Sequence, residues 1–101
     1  TYHIINRNWS GLSMEFSTIG AEDSIDEAKA RLESIDVLIV WGQEIIIGVI
    51  TQSNLEKVGT CGEICELDIL VDPSDELIEK WKPKWIILTE DDEPVSIMNH
   101  Q

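Results

Sequence analysis

The chain has 101 residues and a mass of 11.4 kDa, enough for one compact unit or for two very small halves that share a core. Its 20 Asp and Glu against 7 Lys and Arg leave a net charge of −13, which repels phosphate backbones and anionic head groups and excludes charge-driven binding to nucleic acid or a membrane surface. Hydrophobic residues at 43% and charged residues at 27% are a globular balance, not that of a disordered acidic tail.

In chain order, Phe16 to Ile19 reads as a short strand. Ser24-Ile25-Asp26-Glu27 then has the form of a capping box, in which the serine hydroxyl takes one free amide and the glutamate reaches back to another. Ile25, Ala28, Leu32 and Ile35 recur at helical spacing after it, so an amphipathic helix of about three turns is expected. Val37 to Val40 and Ile45 to Ile50 are apolar runs around a polar turn at Trp41 to Glu44, a hairpin. Both runs are far below the roughly 20 residues of a membrane-spanning helix. Ser53 to Val58 is expected as a short helix, and Gly59 to Cys65 as a turn leading into another helical turn. Ile69 to Val71 is a second short strand, and Asp72-Pro73-Ser74-Asp75-Glu76 supplies a cap, a proline suited to the first helical position and acids that favour the helix dipole. Leu77, Ile78 and Trp81 should face inward on that helix until Pro83 stops it, and a second hairpin with its turn at Thr89 to Glu93 closes the chain.

The order strand, helix, strand, strand thus occurs twice. A shift of 48 positions lays Asp36 to Ser53 over Lys84 to Gln101 without a gap. Val37 then falls on Trp85, Leu38 on Ile86, Ile39 on Ile87, Val40 on Leu88, Ile47 on Val95, Val49 on Ile97 and Ile50 on Met98. An internal repeat of this kind governs every other assignment. Each copy, at about 50 residues, buries too little surface to stand safely alone, so the expectation is an α+β fold of two copies packed with pseudo-twofold symmetry.

Gly48-Val49-Ile50-Thr51-Gln52-Ser53-Asn54, which follows a hairpin and opens a helix, resembles the signature of the cystathionine beta-synthase (CBS) domain: Gly, two apolar residues, Thr or Ser, two variable residues, then Asp or Asn. Ala21 to Ala28 is similar to the acidic helix start of that domain, and Gly62 to Cys65 to the element opening its second copy. The resemblance runs from about residue 14 to the end. It implies tandem CBS repeats (strand-helix-strand-strand-helix), with residues 14–58 as the first and 61–101 as a second, degenerate one, and 1–101 as one CBS-pair (Bateman) module. It further implies a regulatory unit that binds an adenosyl ligand such as AMP, adenosine, ATP or S-adenosylmethionine, commonly as a homodimer, and acts on an effector domain in a longer chain. The alternative is a degenerate, ligand-free pair serving as a dimerisation scaffold. In the second copy Ser96 stands in the glycine position and Asn99 in the Thr position, and the chain ends before the acidic one, so one ligand per chain is expected.

The residues themselves make the first-copy site reasonable. Gly48 has no side chain to keep a ligand from the backbone, Thr51 offers a hydroxyl at the strand end, and Asn54 can hydrogen-bond a ribose diol from the first turn of the following helix. The strands Val37 to Val40 and Ile45 to Ile50 are the expected apolar walls for adenine, with Val37, Ile39 and Ile19 as the lining side chains. Thr51 and Asn54 can equally serve as helix caps. Trp41, just after the strand, can stack on a ligand or pack. With so few cations near this site, AMP, adenosine and the cationic S-adenosylmethionine are expected to outrank ATP.

Other constellations are weaker. Cys61 and Cys65 with His3 or His100 lack the second cysteine pair of a structural zinc site, and Glu90 to Glu93 lacks the alternation and glycine of a calcium loop. Two cysteines are no disulfide framework. No nucleophile–base set or phosphate-cradling glycine loop is present, so no enzyme, no obligatory cofactor and no bound metal are expected. No basic start precedes an apolar stretch as in a secretory signal, and the first residue is Thr1; the chain reads as a cytoplasmic fragment of a longer protein.

Overall fold

The computed structural model describes residues 14–99. Its elements are β1 (Phe16–Gly20), α1 (Ile25–Arg31), β2 (Val37–Gly42), β3 (Ile45–Ile50), a 3-10 turn (Gln52–Glu56), α2 (Cys61–Ile64), β4 (Ile69–Val71), α3 (Asp75–Trp81), β5 (Trp85–Glu90) and β6 (Glu93–Asn99). They form two compact units, one of residues 15–67, the other of residues 68–99 together with Met14.

In the first unit the sheet order is β1-β2-β3, with β1 parallel to β2 and β3 antiparallel to it. The crossover through α1 brings the parallel pair together, as a parallel connection requires. Ser24 caps α1 by accepting from the Glu27 amide, at 3.3 Å. The helix is two turns rather than three, because Leu32 closes it and the chain leaves through a turn before Ile35. Ile35 still packs on the core, from the loop. Arg31 ties the helix back to β1 by donating to the Thr18 carbonyl. The core on one face of this sheet holds Ile19, Ala28, Leu32, Leu38, Val40, Ile50, Cys61, Ile64 and Cys65. Val37 and Ile39 point to the other face by strand alternation and have no exposure either, which accounts for the unbroken apolar run.

The second unit repeats the scheme as β4-β5-β6, parallel then antiparallel, around Ile86, Leu88 and Met98, with Ile78 of α3 packed on them. Ser74 is the N-cap of α3, accepting from the Leu77 amide. Pro73 therefore precedes the helix instead of occupying its first position. Leu77 and Trp81 are exposed, not inward: α3 turns only Ile78 toward the core, since so short a helix on a three-stranded sheet buries a single ridge. Its end is a left-handed Lys82, φ 47°, before Pro83.

Candidate functional site

The sequence motif occupies the junction between β3 and the 3-10 turn. Gly48 pairs with Val40 inside the sheet, and a Cβ built on it would lie 2.3 Å from the Glu66 carbonyl oxygen and 2.8 Å from the Cys65 sulfur. What approaches the bare backbone is thus the chain itself. Glu66 makes a one-residue antiparallel bridge to Val49, its amide donating to the Val49 carbonyl at 2.8 Å and its carbonyl accepting from the Val49 amide at 3.0 Å.

Thr51 and Asn54 form a closed polar knot. The Asn54 Oδ1 accepts from the Thr51 amide at 2.8 Å and from the Thr51 hydroxyl at 3.1 Å, while its Nδ2 donates to the Ile64 carbonyl at 3.3 Å. Asn54 is the buried polar residue of the described core, 3% exposed. Its side chain thereby satisfies a helix-start amide and ties the 3-10 turn to the last residue of α2. The Thr51 hydroxyl lies 3.0 Å from that of Ser53.

The expected apolar walls are not on one surface. Ile19 pairs with Val40 and sits in the core on the α1 side, whereas Val37 and Ile39 project from the opposite face of β2. Gly48, Thr51 and Asn54 are brought together along one stretch of chain; the three aliphatic residues are split by the sheet.

Helix α2 is held against the start of α1 through the backbone: the Cys61 amide donates to the Asp23 carbonyl at 3.1 Å and the Gly62 amide to the Ala21 carbonyl at 2.8 Å. Cys61 and Cys65 are free thiols. Burial pushes the Cys61 thiol up, with the Asp23 carboxylate adding to it, and burial pushes Cys65 up as well. Such thiols are packing groups, not nucleophiles. Among the described residues no three His, Cys, Asp or Glu are grouped as metal ligands; His3 and His100 lie outside those residues. Among the described residues, too, no helix is long and apolar enough to cross a membrane.

A concave feature lies elsewhere, at the other end of the sheet. A cleft of about 510 Å³ opens where β1 ends and the β2–β3 hairpin turns, between Gly20, Glu22, Asp23, Trp41, Ile45 and Ile47. Of these, the sequence marked Trp41 as a candidate ligand contact, whereas Glu22 and Asp23 entered it as part of an acidic helix start and Ile45 and Ile47 as hairpin residues. Asp23 is fixed by accepting from the Gly20 amide through Oδ2 at 2.9 Å.

No family model matches the sequence, and no curated protein does. Solved structures do match. OpuCA of Staphylococcus aureus aligns with a TM-score of 0.58 and 16% identity over 81% of this chain and 83% of that one. A CBS-domain containing protein, ATU1752 of Agrobacterium tumefaciens, gives 0.58 and 16% over 85% and 84%. The cytosolic domain of the Mg2+ channel MgtE, solved in complex with ATP, gives 0.57 and 16% over 91% of this chain and 46% of that one. The chain has the α+β fold of a CBS-domain pair, its two units each carrying the strand-helix-strand-strand arrangement.

Proposed function

We propose that the chain is a regulatory, non-enzymatic CBS-pair module that senses an adenosyl ligand of the AMP, adenosine or S-adenosylmethionine class and controls an effector domain of a longer, cytoplasmic protein. The observation that carries this reading is the duplicated fold, shared with a CBS-domain containing protein and with the cytosolic domain of a Mg2+ channel solved in complex with ATP. Thr51 and Asn54 are the residues proposed to meet the ligand, at one site per chain, and Gly48 serves that site by letting the Glu66 backbone close on β3. Binding there requires the Asn54 amide to exchange part of its internal hydrogen bonding for the ribose. We further propose a homodimer formed through the exposed ridge of α3, where Leu77 is 41% and Trp81 62% exposed, large apolar side chains that association would cover.

A second reading, a ligand-free scaffold, is favoured by one particular observation: every polar group of the Asn54 side chain is already engaged within the first unit. Thermal unfolding with and without AMP, adenosine, S-adenosylmethionine and ATP separates the two, since a ligand that binds only the folded form raises the midpoint. A rise with AMP that exceeds the rise with ATP in the absence of magnesium supports sensing. No rise with any of the four, in a protein that sediments as a dimer, leaves the scaffold.

A further inference from the structure

We propose that the cleft at the hairpin end of the first unit is a binding site for a guanidinium-bearing ligand. It is distinct from the proposed adenosyl site. The register of the sheet puts Gly20, Trp41 and Ile46 at one end and Phe16, Val37 and Ile50 at the other, and Thr51 and Asn54 follow Ile50.

The corner that bears the cleft is built differently in the two units. In the second unit, Thr89 occupies the place of Trp41: the sheet register is interrupted between Val40 and Trp41 and, at the corresponding position, between Leu88 and Thr89. There the Asp72 carboxylate accepts from the Thr89 amide at 2.8 Å and from the Thr89 hydroxyl, so the two side chains at the equivalent corner are engaged with each other. The first unit instead has a path from strand to helix one residue longer, Ala21 to Ser24 against Asp72 to Ser74, and an indole where the threonine would be.

The walls of the cleft combine apolar and acidic groups. Trp41 presents a half-buried ring, Ile47 is half-buried, and Ile45 stands 63% exposed at the hairpin. Both charged lining residues are carboxylates: Glu22, which makes no hydrogen bond or ion pair among the described residues, and Asp23, whose Oδ1 is not used in holding Gly20. Among the described residues no lysine or arginine lines the cleft, and the chain carries a net charge of −13, so anions are repelled and cations drawn in. A planar guanidinium satisfies both surfaces at once. It stacks on an indole face, where a cation meets the negative side of the ring, and its fork of N–H groups donates to a carboxylate in two parallel hydrogen bonds. A quaternary ammonium can use the ring but has nothing to donate to Glu22.

The test uses the full chain and agmatine as probe, followed by amide chemical shifts in titrations to millimolar concentration. The expected result is saturable shifts confined to Gly20–Asp23 and Gly42–Ile47. Glu22→Gln, at an exposed position that leaves folding intact, should weaken agmatine by about tenfold, as loss of a charge-assisted hydrogen bond implies. Trp41→Leu should weaken it by a similar factor with the thermal midpoint recorded alongside, and choline should bind less well than agmatine. A blocked Gly-Arg-Gly peptide distinguishes the source: tighter binding than agmatine assigns the site to an arginine side chain of a polypeptide, weaker binding to a free small molecule. Shifts spread over the acidic surface at large, equal affinity in the Glu22→Gln variant, or choline binding as tightly as agmatine would overturn the proposal. Because no adenosyl compound enters the experiment, its failure leaves the proposed function untouched.

Discussion

The two hairpins are the part of the molecule in which the copies agree most closely. Leu38 faces Ile50 as Ile86 faces Met98, Ile39 faces Val49 as Ile87 faces Ile97, and Val40 faces Gly48 as Leu88 faces Ser96. Both turns hold two residues at positive φ, Gln43 and Glu44 at 52° and 68°, Asp91 and Asp92 at 52° and 65°, as tight hairpins matched to strand twist require. Where the copies part is at either end of each hairpin. The first unit covers Gly48 with the Cys65-Glu66 backbone and locks the β3 end with Asn54, while the second has Ser96 in the glycine place and closes the strand-to-helix corner with an Asp72–Thr89 clasp. Hairpins are determined by local pairing and alternation; corners and strand ends are determined by which other segment lies on them, and there the copies have diverged.

That contrast can be broken most severely at Gly48. Gly48→Val must displace backbone, since its Cβ would sit 2.3 Å from the Glu66 oxygen, and should destabilise the chain by about 3 kcal/mol or more, the upper range of overpacking. The reciprocal change, Ser96→Gly, meets no such clash and should cost less, with chain entropy accounting for about 0.5–1 kcal/mol of the loss. Chemical denaturation of both variants measures the asymmetry, and equal losses would show that the Glu66 bridge does not constrain this position.

Asn54→Ala should cost about 2–3 kcal/mol, because it removes a cap and leaves the buried Ile64 carbonyl without its donor. Asn54→Asp sharpens the functional question: it keeps the acceptor for the Thr51 amide but turns a carboxylate oxygen toward the Ile64 carbonyl. A lower thermal midpoint is expected, and an unchanged one would show that Nδ2 is free for a ligand.

Thr89→Val removes the hydroxyl half of the second unit's clasp and keeps the backbone amide half, and should cost about 0.5–1.5 kcal/mol as the Asp72 carboxylate loses one of its two donors. Trp41→Leu, by contrast, should stay within about 1.5 kcal/mol as an apolar exchange at a half-buried place. At the turns, Glu44→Gly should stabilise by roughly 1 kcal/mol and Asp92→Gly by less, since a left-handed conformation costs Glu more than Asp.

The pH response is the smallest effect and has two sides. The Cys61 and Cys65 thiols are raised above 9.0 in the folded state, chiefly by burial. Their contribution is therefore complete below pH 9.0 and falls as the pH climbs from there through the folded-state values, where the unfolded chain ionises first. Glu63 is lowered from 4.5 because the Thr60 amide and hydroxyl donate to it; its contribution is present above pH 4.5 and disappears on acidification through the lower folded value. Unfolding midpoints at alkaline pH for Cys61→Ala, and at acid pH for Glu63→Gln, should each be flatter than those of the unaltered chain.

Much of this was legible in the residues. Ile69–Val71 is a strand at the expected bounds, Ser24 caps α1, and the gap-free shift that matched Val37–Ile50 with Trp85–Met98 reappears as one register in both sheets. These follow from period-two alternation and short-range capping, which depend on neighbours in sequence. The length of α1, the outward turn of Leu77 and Trp81, and the place of Pro73 before its helix were not legible, because each depends on how much sheet there is to cover. The same division holds at the site. Gly48, Thr51 and Asn54 announce themselves as a group, but only the folded chain shows that Glu66 lies over the glycine and Ile64 accepts from the asparagine. The sequence by itself determined the repeat, the hairpins and the sign of the charge. The tertiary structure alone decided which polar groups are already used and where a cleft stays open, since both depend on segments far apart in the chain meeting at one place.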